Sequence, residues 1–166
     1  MSRALVIVDI QNDYFPGGAL PLWEAEAVER RIVAAIAKAY QAGDAVVLIQ
    51  HLSNAPSGLF AKGSPGSALR PAILAAAPDA PVVTKQVADA FQDTTLASQL
   101  DGVAELLIGG MMTQNCIAFT TLAALAAGRA VTVVGDLCTA PLEVVHRIAL
   151  NALASKTAVR DAADLW

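Results

Sequence analysis

The sequence predicts an α/β fold in which helices cover both faces of a parallel β-sheet. Three observations carry this expectation. Short, continuous apolar runs recur along the chain and stop at polar residues or glycines, as strands buried on both faces do. Between them lie segments with apolar residues at helical spacing, several closed by glycine. The two kinds of segment alternate from one end to the other, a pattern that right-handed crossovers turn into a parallel sheet. The 166 residues are 55% hydrophobic and 16% charged, enough for a substantial core. No repeat or linker divides them, so residues 1–166 are read as a single domain.

Taken in order, residues 4–8 form the first strand, partly β-branched and ending at Asp9. Residues 11–18 carry turn chemistry. Residues 23–42 form a helix, with Val28, Ile32, Val33 and Ile36 on one face and Gly43 as its stop. Residues 45–49 are a second strand, ending at Gln50 and His51. Residues 52–71 are rich in Gly, Pro and Ser and show no period; loops of this length in a small domain commonly serve a binding site. A short helix within 68–77 leads to a strand at 82–84 with Lys85 at its end. A further short helix lies within 91–100, and a strand at 105–108 follows. The chain then reads Gly109-Gly110-Met111-Met112-Thr113-Gln114-Asn115-Cys116 and enters a helix over 116–127 that Gly128 closes. A strand at 130–134, a helix at 142–154 and a short strand at 157–159 complete the chain.

Composition excludes some classes of partner. The net charge is -4 and the Lys and Arg residues are scattered, so neither nucleic acid nor an anionic membrane surface is an expected partner. No apolar run is long enough to span a bilayer. The N-terminal apolar run is too short for a secretory leader and is interrupted by Asp9. Two distant cysteines, Cys116 and Cys138, make no disulfide framework. A cytoplasmic protein is expected, and its low charge suggests that part of its surface is hidden in a homo-oligomer. No G-x-G-x-x-G follows the first strand, which argues against a dinucleotide-binding oxidoreductase.

In open parallel sheets the ligand site lies outside the carboxyl ends of the strands. Asp9, Lys85 and Cys116 all fall at such ends. A carboxylate can accept a thiol proton, an ammonium can hold the carboxylate and favour the thiolate, and a thiolate is a nucleophile. A cysteine at a strand-to-helix junction also meets free backbone N–H groups and the positive end of the helix dipole, which favour its ionised form. The N–H groups of the 112–116 turn are candidates for an oxyanion site. Each residue also has a structural alternative: Asp9 as a turn former, Lys85 as a solvated charge, Cys116 as a small buried apolar residue.

The motifs resemble those of the isochorismatase-like cysteine hydrolase superfamily over nearly the whole chain. The opening D-x-Q-x-x-F element is seen as Asp9-Ile10-Gln11-Asn12-Asp13-Tyr14-Phe15, with Phe15 one place late. The lysine element is Lys85-Gln86-Val87-Ala88-Asp89-Ala90-Phe91, and the G-x-x-T-x-x-C element is Gly110-Met111-Met112-Thr113-Gln114-Asn115-Cys116. A later element reads Val134-Gly135-Asp136-Leu137-Cys138. The resemblance implies a three-layer α/β/α fold on a six-stranded, Rossmann-like parallel sheet and an Asp9–Lys85–Cys116 triad. It also implies a non-proline cis peptide at Met111–Met112, which turns the Met112 N–H toward an oxyanion beside that of Cys116. Relatives of this kind are commonly dimers or tetramers.

The resemblance also sorts the branches. Nicotinamidases carry an Asp-x-His metal pair after the second strand; here the chain reads Gln50-His51-Leu52-Ser53, so no metal and no cofactor are expected. His51 is open to two readings, substrate contact or strand-end residue bonded to backbone. Isochorismatases cleave a vinyl ether and need no cysteine nucleophile, so an intact triad points to C–N hydrolysis through a thioester. Vinyl-ether hydrolysis and a non-catalytic binding role are the alternatives. The substrate-binding wall is expected from Gln11, Phe15, Phe60, Phe91, Met111 and Gln114. Its apolar character suggests a small neutral amide-like substrate. Arg70 is read as a surface residue, with a carboxylate clamp as the alternative; Cys138 as a buried structural cysteine, with a redox pairing to Cys116 as the alternative; and His146 as capping or bonding within the last helix–strand unit.

Overall fold

The computed structural model describes residues 2–166. Six strands form one wholly parallel sheet: β1 (Arg3–Val8), β2 (Ala45–His51), β3 (Val82–Lys85), β4 (Glu105–Met111), β5 (Ala130–Thr139) and β6 (Ala158–Arg160), in the order β3-β2-β1-β4-β5-β6. The helices are α1 (Ala25–Ala42), α2 (Pro71–Ala76), α3 (Leu96–Gln99), α4 (Ala118–Ala126) and α5 (Glu143–Ala154). This is the six-stranded α/β arrangement that the sequence implies.

Strand alternation divides the core in two. Leu5, Ile7, Val46, Leu48 and Leu107 point to one face and pack with Val28, Ile32 and Ile36 of α1. Ala4, Val6, Val8, Val47, Ile49, Leu106 and Ile108 point to the other and pack with Ile117, Ala124 of α4 and Leu153 of α5. Both faces of the central strands are therefore apolar, which explains their continuous apolar runs. Chain order reverses between β1 and β4. That switch point is where the ends of two adjacent strands diverge and leave room for a site.

Three strands run two or more residues past the ends the sequence suggests, β2 to His51, β4 to Met111 and β5 to Thr139. On β4 the cause is pairing: Gly109 and Gly110 stand opposite Ile7 and Val8 and continue the ladder. Gly110 has φ +128, and a Cβ there would strike the Val8 backbone carbonyl, so only glycine suits this position. On β5 the register slips between the partners of Ile108 and Gly110, which are Val133 and Cys138. The stretch after β4 differs too. Residues Thr113–Ile117 form a π-helical turn, and α4 begins only at Ala118. Outside the core, α4 and α5 leave Phe119, Leu122, Val144 and Ile148 exposed. Among the described residues no helix is long and apolar enough to cross a membrane.

Candidate active site

Asp9 follows β1 with φ +54, the left-handed region that few non-glycine residues adopt. Its N–H donates to the Ile49 carbonyl at 3.1 Å, which anchors the turn to β2. Lys85 closes β3 at the sheet edge, one strand beyond β2, and its side chain reaches back across the end of β2. Cys116 lies in the π turn after β4. The three sequence-nominated residues meet: Lys85 Nζ is 2.8 Å from Asp9 Oδ2 and 3.2 Å from Cys116 Sγ. All three are buried, with exposures of 0% for Asp9, 2% for Lys85 and 1% for Cys116.

Burial sets the protonation states. It pushes the Asp9 carboxyl above its ordinary value, against the pull of the Lys85 ammonium. It also pushes the Cys116 thiol up to about 12, and the Asp9 charge adds to this while Lys85 opposes it. The thiolate expected at a helix start is therefore not the resting form. At Cys116 the loss of solvation and the Asp9 charge together outweigh the pull of the ammonium.

A fourth residue belongs to this cluster. His51 ends β2 directly opposite Lys85 in the ladder. Its Nδ1 is 3.1 Å from Lys85 Nζ and 4.0 Å from Asp9 Oδ2. The Val87 carbonyl accepts a further Lys85 bond at 3.0 Å. Asp9, His51 and Cys116 offer ligand atoms that all lie within 4.8 Å of one another, a spacing that can hold a metal ion. The Lys85 ammonium already stands among these three donors and supplies the positive charge they require. The residues therefore do not fit a metal centre, and the Gln50-His51-Leu52 stretch lacks the Asp-x-His pair of the metal-bearing branch.

The residues expected to wall the substrate are placed differently. Gln11 is fully buried, and its amide is committed to backbone: Nε2 donates to the His51 carbonyl at 2.8 Å and the Ser67 carbonyl at 2.7 Å, and Oε1 accepts from the His51 N–H at 2.8 Å. It acts as scaffold for the end of β2. Phe15 and Met111 are core residues, and the Arg70 guanidinium lies 4.2 Å over the Phe15 ring. Arg70 also pairs with Glu29 of α1 at 2.8 Å, tying the long loop down. Phe60 is buried between Tyr14 and His51, with ring centroids at 4.7 and 5.6 Å. Phe91 packs at the edge of the second core cluster. Gln114 lines an apolar groove of about 530 Å³ between α4 and α5. The open space that reaches Lys85 is instead a polar cleft of about 330 Å³, with Asn54, Lys62, Gln86, Gln92 and Asp93 on its walls.

Two further features shape the turn that carries Cys116. The Met111–Met112 peptide bond is cis, and the Met112 carbonyl accepts from the Asn115 and Ile117 N–H groups at 3.0 and 3.2 Å. Thr113 Oγ1 bonds His146 Nδ1 of α5 at 2.8 Å. The His146 backbone bonds within its own helix, where its N–H donates to the Leu142 carbonyl, but its ring reaches the turn that carries Cys116. No spacing in the sequence signals this pairing, because it joins elements 33 residues apart. Cys138 is buried and unbridged, with its Sγ 3.3 Å from the Val134 carbonyl.

The family model described as the isochorismatase domain matches residues 3–164. A Bacillus subtilis protein described as an uncharacterized isochorismatase family protein is 30% identical over 152 residues, covering 89% of this chain and 84% of that protein. The streptothricin hydrolase of Streptomyces noursei is 36% identical over 136 residues, which are 81% of this chain but 48% of that enzyme. The chain therefore spans about half the length of that relative. The crystal structure of an isochorismatase family protein from Desulfovibrio vulgaris superposes with a TM-score of 0.91 at 28% identity, covering 99% of this chain and 96% of that one. Fold, motif order and these likenesses agree: the chain belongs to the isochorismatase family of hydrolases.

Proposed function

We propose that this hydrolase cleaves a C–N bond of a small amide-like molecule through a thioester on Cys116. The observation that supports this most is the Lys85 ammonium held between the Asp9 carboxylate at 2.8 Å and the Cys116 sulfur at 3.2 Å. A proton passing from the thiol to Asp9 leaves the net charge of the buried cluster unchanged, because the ammonium then faces a thiolate instead of a carboxylate. The raised affinity of Asp9 for protons helps this transfer. The thiolate attacks the substrate carbonyl carbon, and its oxygen gains the negative charge. The Met112 and Cys116 backbone N–H groups are the oxyanion donors in this scheme. Protonated Asp9 gives its proton to the leaving nitrogen, the C–N bond breaks, and an amine departs. Water then loses a proton to Asp9 and attacks the thioester, which releases the acid and restores the thiol.

A cleft carrying both Lys62 and Asp93 among amide side chains suits a polar substrate of no net charge. The test is a panel of small primary amides and carbamoyl compounds, with amine release measured alongside intact mass after rapid quenching. The expected result is release of ammonia with a transient acyl adduct on Cys116, both lost in Cys116→Ala. Release that persists in Cys116→Ala overturns covalent catalysis. Turnover of a vinyl ether with no adduct and no amide cleavage would move the reading to ether hydrolysis.

A further inference from the structure

We infer that His51 is a positioning residue whose Nδ1 lone pair holds the Lys85 ammonium at the centre of the Asp9–Cys116 cluster. The inference rests on the thiol-activation reading above and extends it to a residue outside the triad.

The ladder sets His51 beside Lys85, and Nδ1 lies 3.1 Å from Nζ. An ammonium only donates, so Nδ1 accepts and carries no proton, which leaves the ring proton on Nε2. The direction of that lone pair is fixed from both sides. Gln11 clamps the His51 backbone through its N–H and its carbonyl, each at 2.8 Å, and the ring rests against Phe60 with centroids 5.6 Å apart. The charged groups facing His51 are Lys85 from β3 and Asp9 from β1, and a backbone hydrogen bond links it to Gln86. Burial and the neighbouring ammonium lower its proton affinity and outweigh the Asp9 charge and the Gln86 backbone bond, which raise it.

The protons around Lys85 show what the lone pair does. Four acceptors surround Nζ: Asp9 Oδ2 at 2.8 Å, Val87 O at 3.0 Å, His51 Nδ1 at 3.1 Å and Cys116 Sγ at 3.2 Å. An ammonium has three protons. At rest the four acceptors share these three protons, and the sulfur of a neutral thiol is the weakest acceptor among them. Once Cys116 has passed its proton to Asp9, the thiolate needs a donor. The N–H that pointed at Nδ1 then turns to sulfur while the nitrogen stays in place. Without His51 the ammonium loses its anchor on the β2 side, and Nζ shifts from the position it holds 3.2 Å from sulfur.

The test uses alkylation of Cys116 by iodoacetamide, followed by intact mass across pH, and needs no substrate. His51→Phe keeps the ring packing and removes the acceptor; His51→Asn restores an acceptor oxygen near the place of Nδ1. The expected result is labelling about tenfold slower in His51→Phe, equivalent to a thiol pKa about one unit higher, with recovery in His51→Asn and unchanged circular dichroism. In the intact protein, long-range proton–nitrogen correlation should show His51 with Nδ1 unprotonated at neutral pH, a readout independent of any variant. Equal slowing in both variants, faster labelling in His51→Phe, or a protonated Nδ1 overturns the inference. Lys85→Met separates the two levels. If it slows labelling and His51→Phe does not, only the role of His51 fails. If neither slows labelling, thiol activation by Lys85 fails as well.

Discussion

The Lys85 ammonium and the Asp9 carboxylate meet at 2.8 Å with both side chains wholly out of solvent. Neither charge is tolerable alone at this depth, so the pair is a condition for folding. Lys85→Met should destabilise the protein by about 3–5 kcal/mol through an uncompensated buried carboxylate. The double variant Asp9→Asn/Lys85→Met should regain most of that loss while remaining inactive. Urea unfolding of the three proteins checks this. Equal stability of the single and double variants would show that the pair carries no coupling.

The meeting of Asp9, Lys85 and Cys116 was legible in the sequence because each stands at or just after the end of an apolar run, and an open parallel sheet gathers strand ends at one rim. The substrate wall was not. Phe15 and Met111 are aromatic and apolar residues near Asp9 and Cys116 in the sequence, but the same properties suit them to core packing, and the fold uses them there. Gln11 misled for a related reason. Its amide suits a substrate, yet here it substitutes for a strand neighbour at the end of β2. The polar cleft near Lys85 draws on residues from several loops, which no local period connects.

The two buried thiols give a pH signature. Burial pushes Cys116 and Cys138 each from an ordinary value of 9.0 up to about 12. A folded-state pKa above the unfolded one means that the native protein holds protons the unfolded chain releases. This contribution is fully present below pH 9 and is lost as pH rises through about 12. Under reducing conditions the urea midpoint should fall across that range. Cys138→Ala, which removes one of the two groups away from the active site, should give a shallower fall. An identical slope would mean that Cys138 titrates normally.

Gly110 offers a sharper test of the packing between β4 and β1. Its φ of +128 and the Val8 carbonyl in the path of any Cβ act together. Gly110→Ala should therefore incur backbone strain and overpacking, each about 1–3 kcal/mol. Gly128 also has a positive φ, +77, but nothing lies within 4 Å of its Cβ position. Gly128→Ala should cost only about 1–2 kcal/mol. Comparable midpoints for the two variants in thermal unfolding would contradict this account of the strand contact.

The Thr113–His146 bond carries the last prediction. It joins the turn that presents Cys116 to α5, it is buried, and its length is 2.8 Å. Burial and the nearby Arg147 and Arg31 charges lower the proton affinity of His146, so the neutral ring is the partner at neutral pH. Removing either partner leaves the other polar group unmet, at a cost of about 1–3 kcal/mol. Thr113→Val and His146→Leu should each destabilise by that amount, and the double variant should lose less than their sum. Slower Cys116 alkylation should accompany both single variants if the bond sets the position of the sulfur. Additive losses with unchanged alkylation would show that α5 only covers the nucleophile turn and does not hold it.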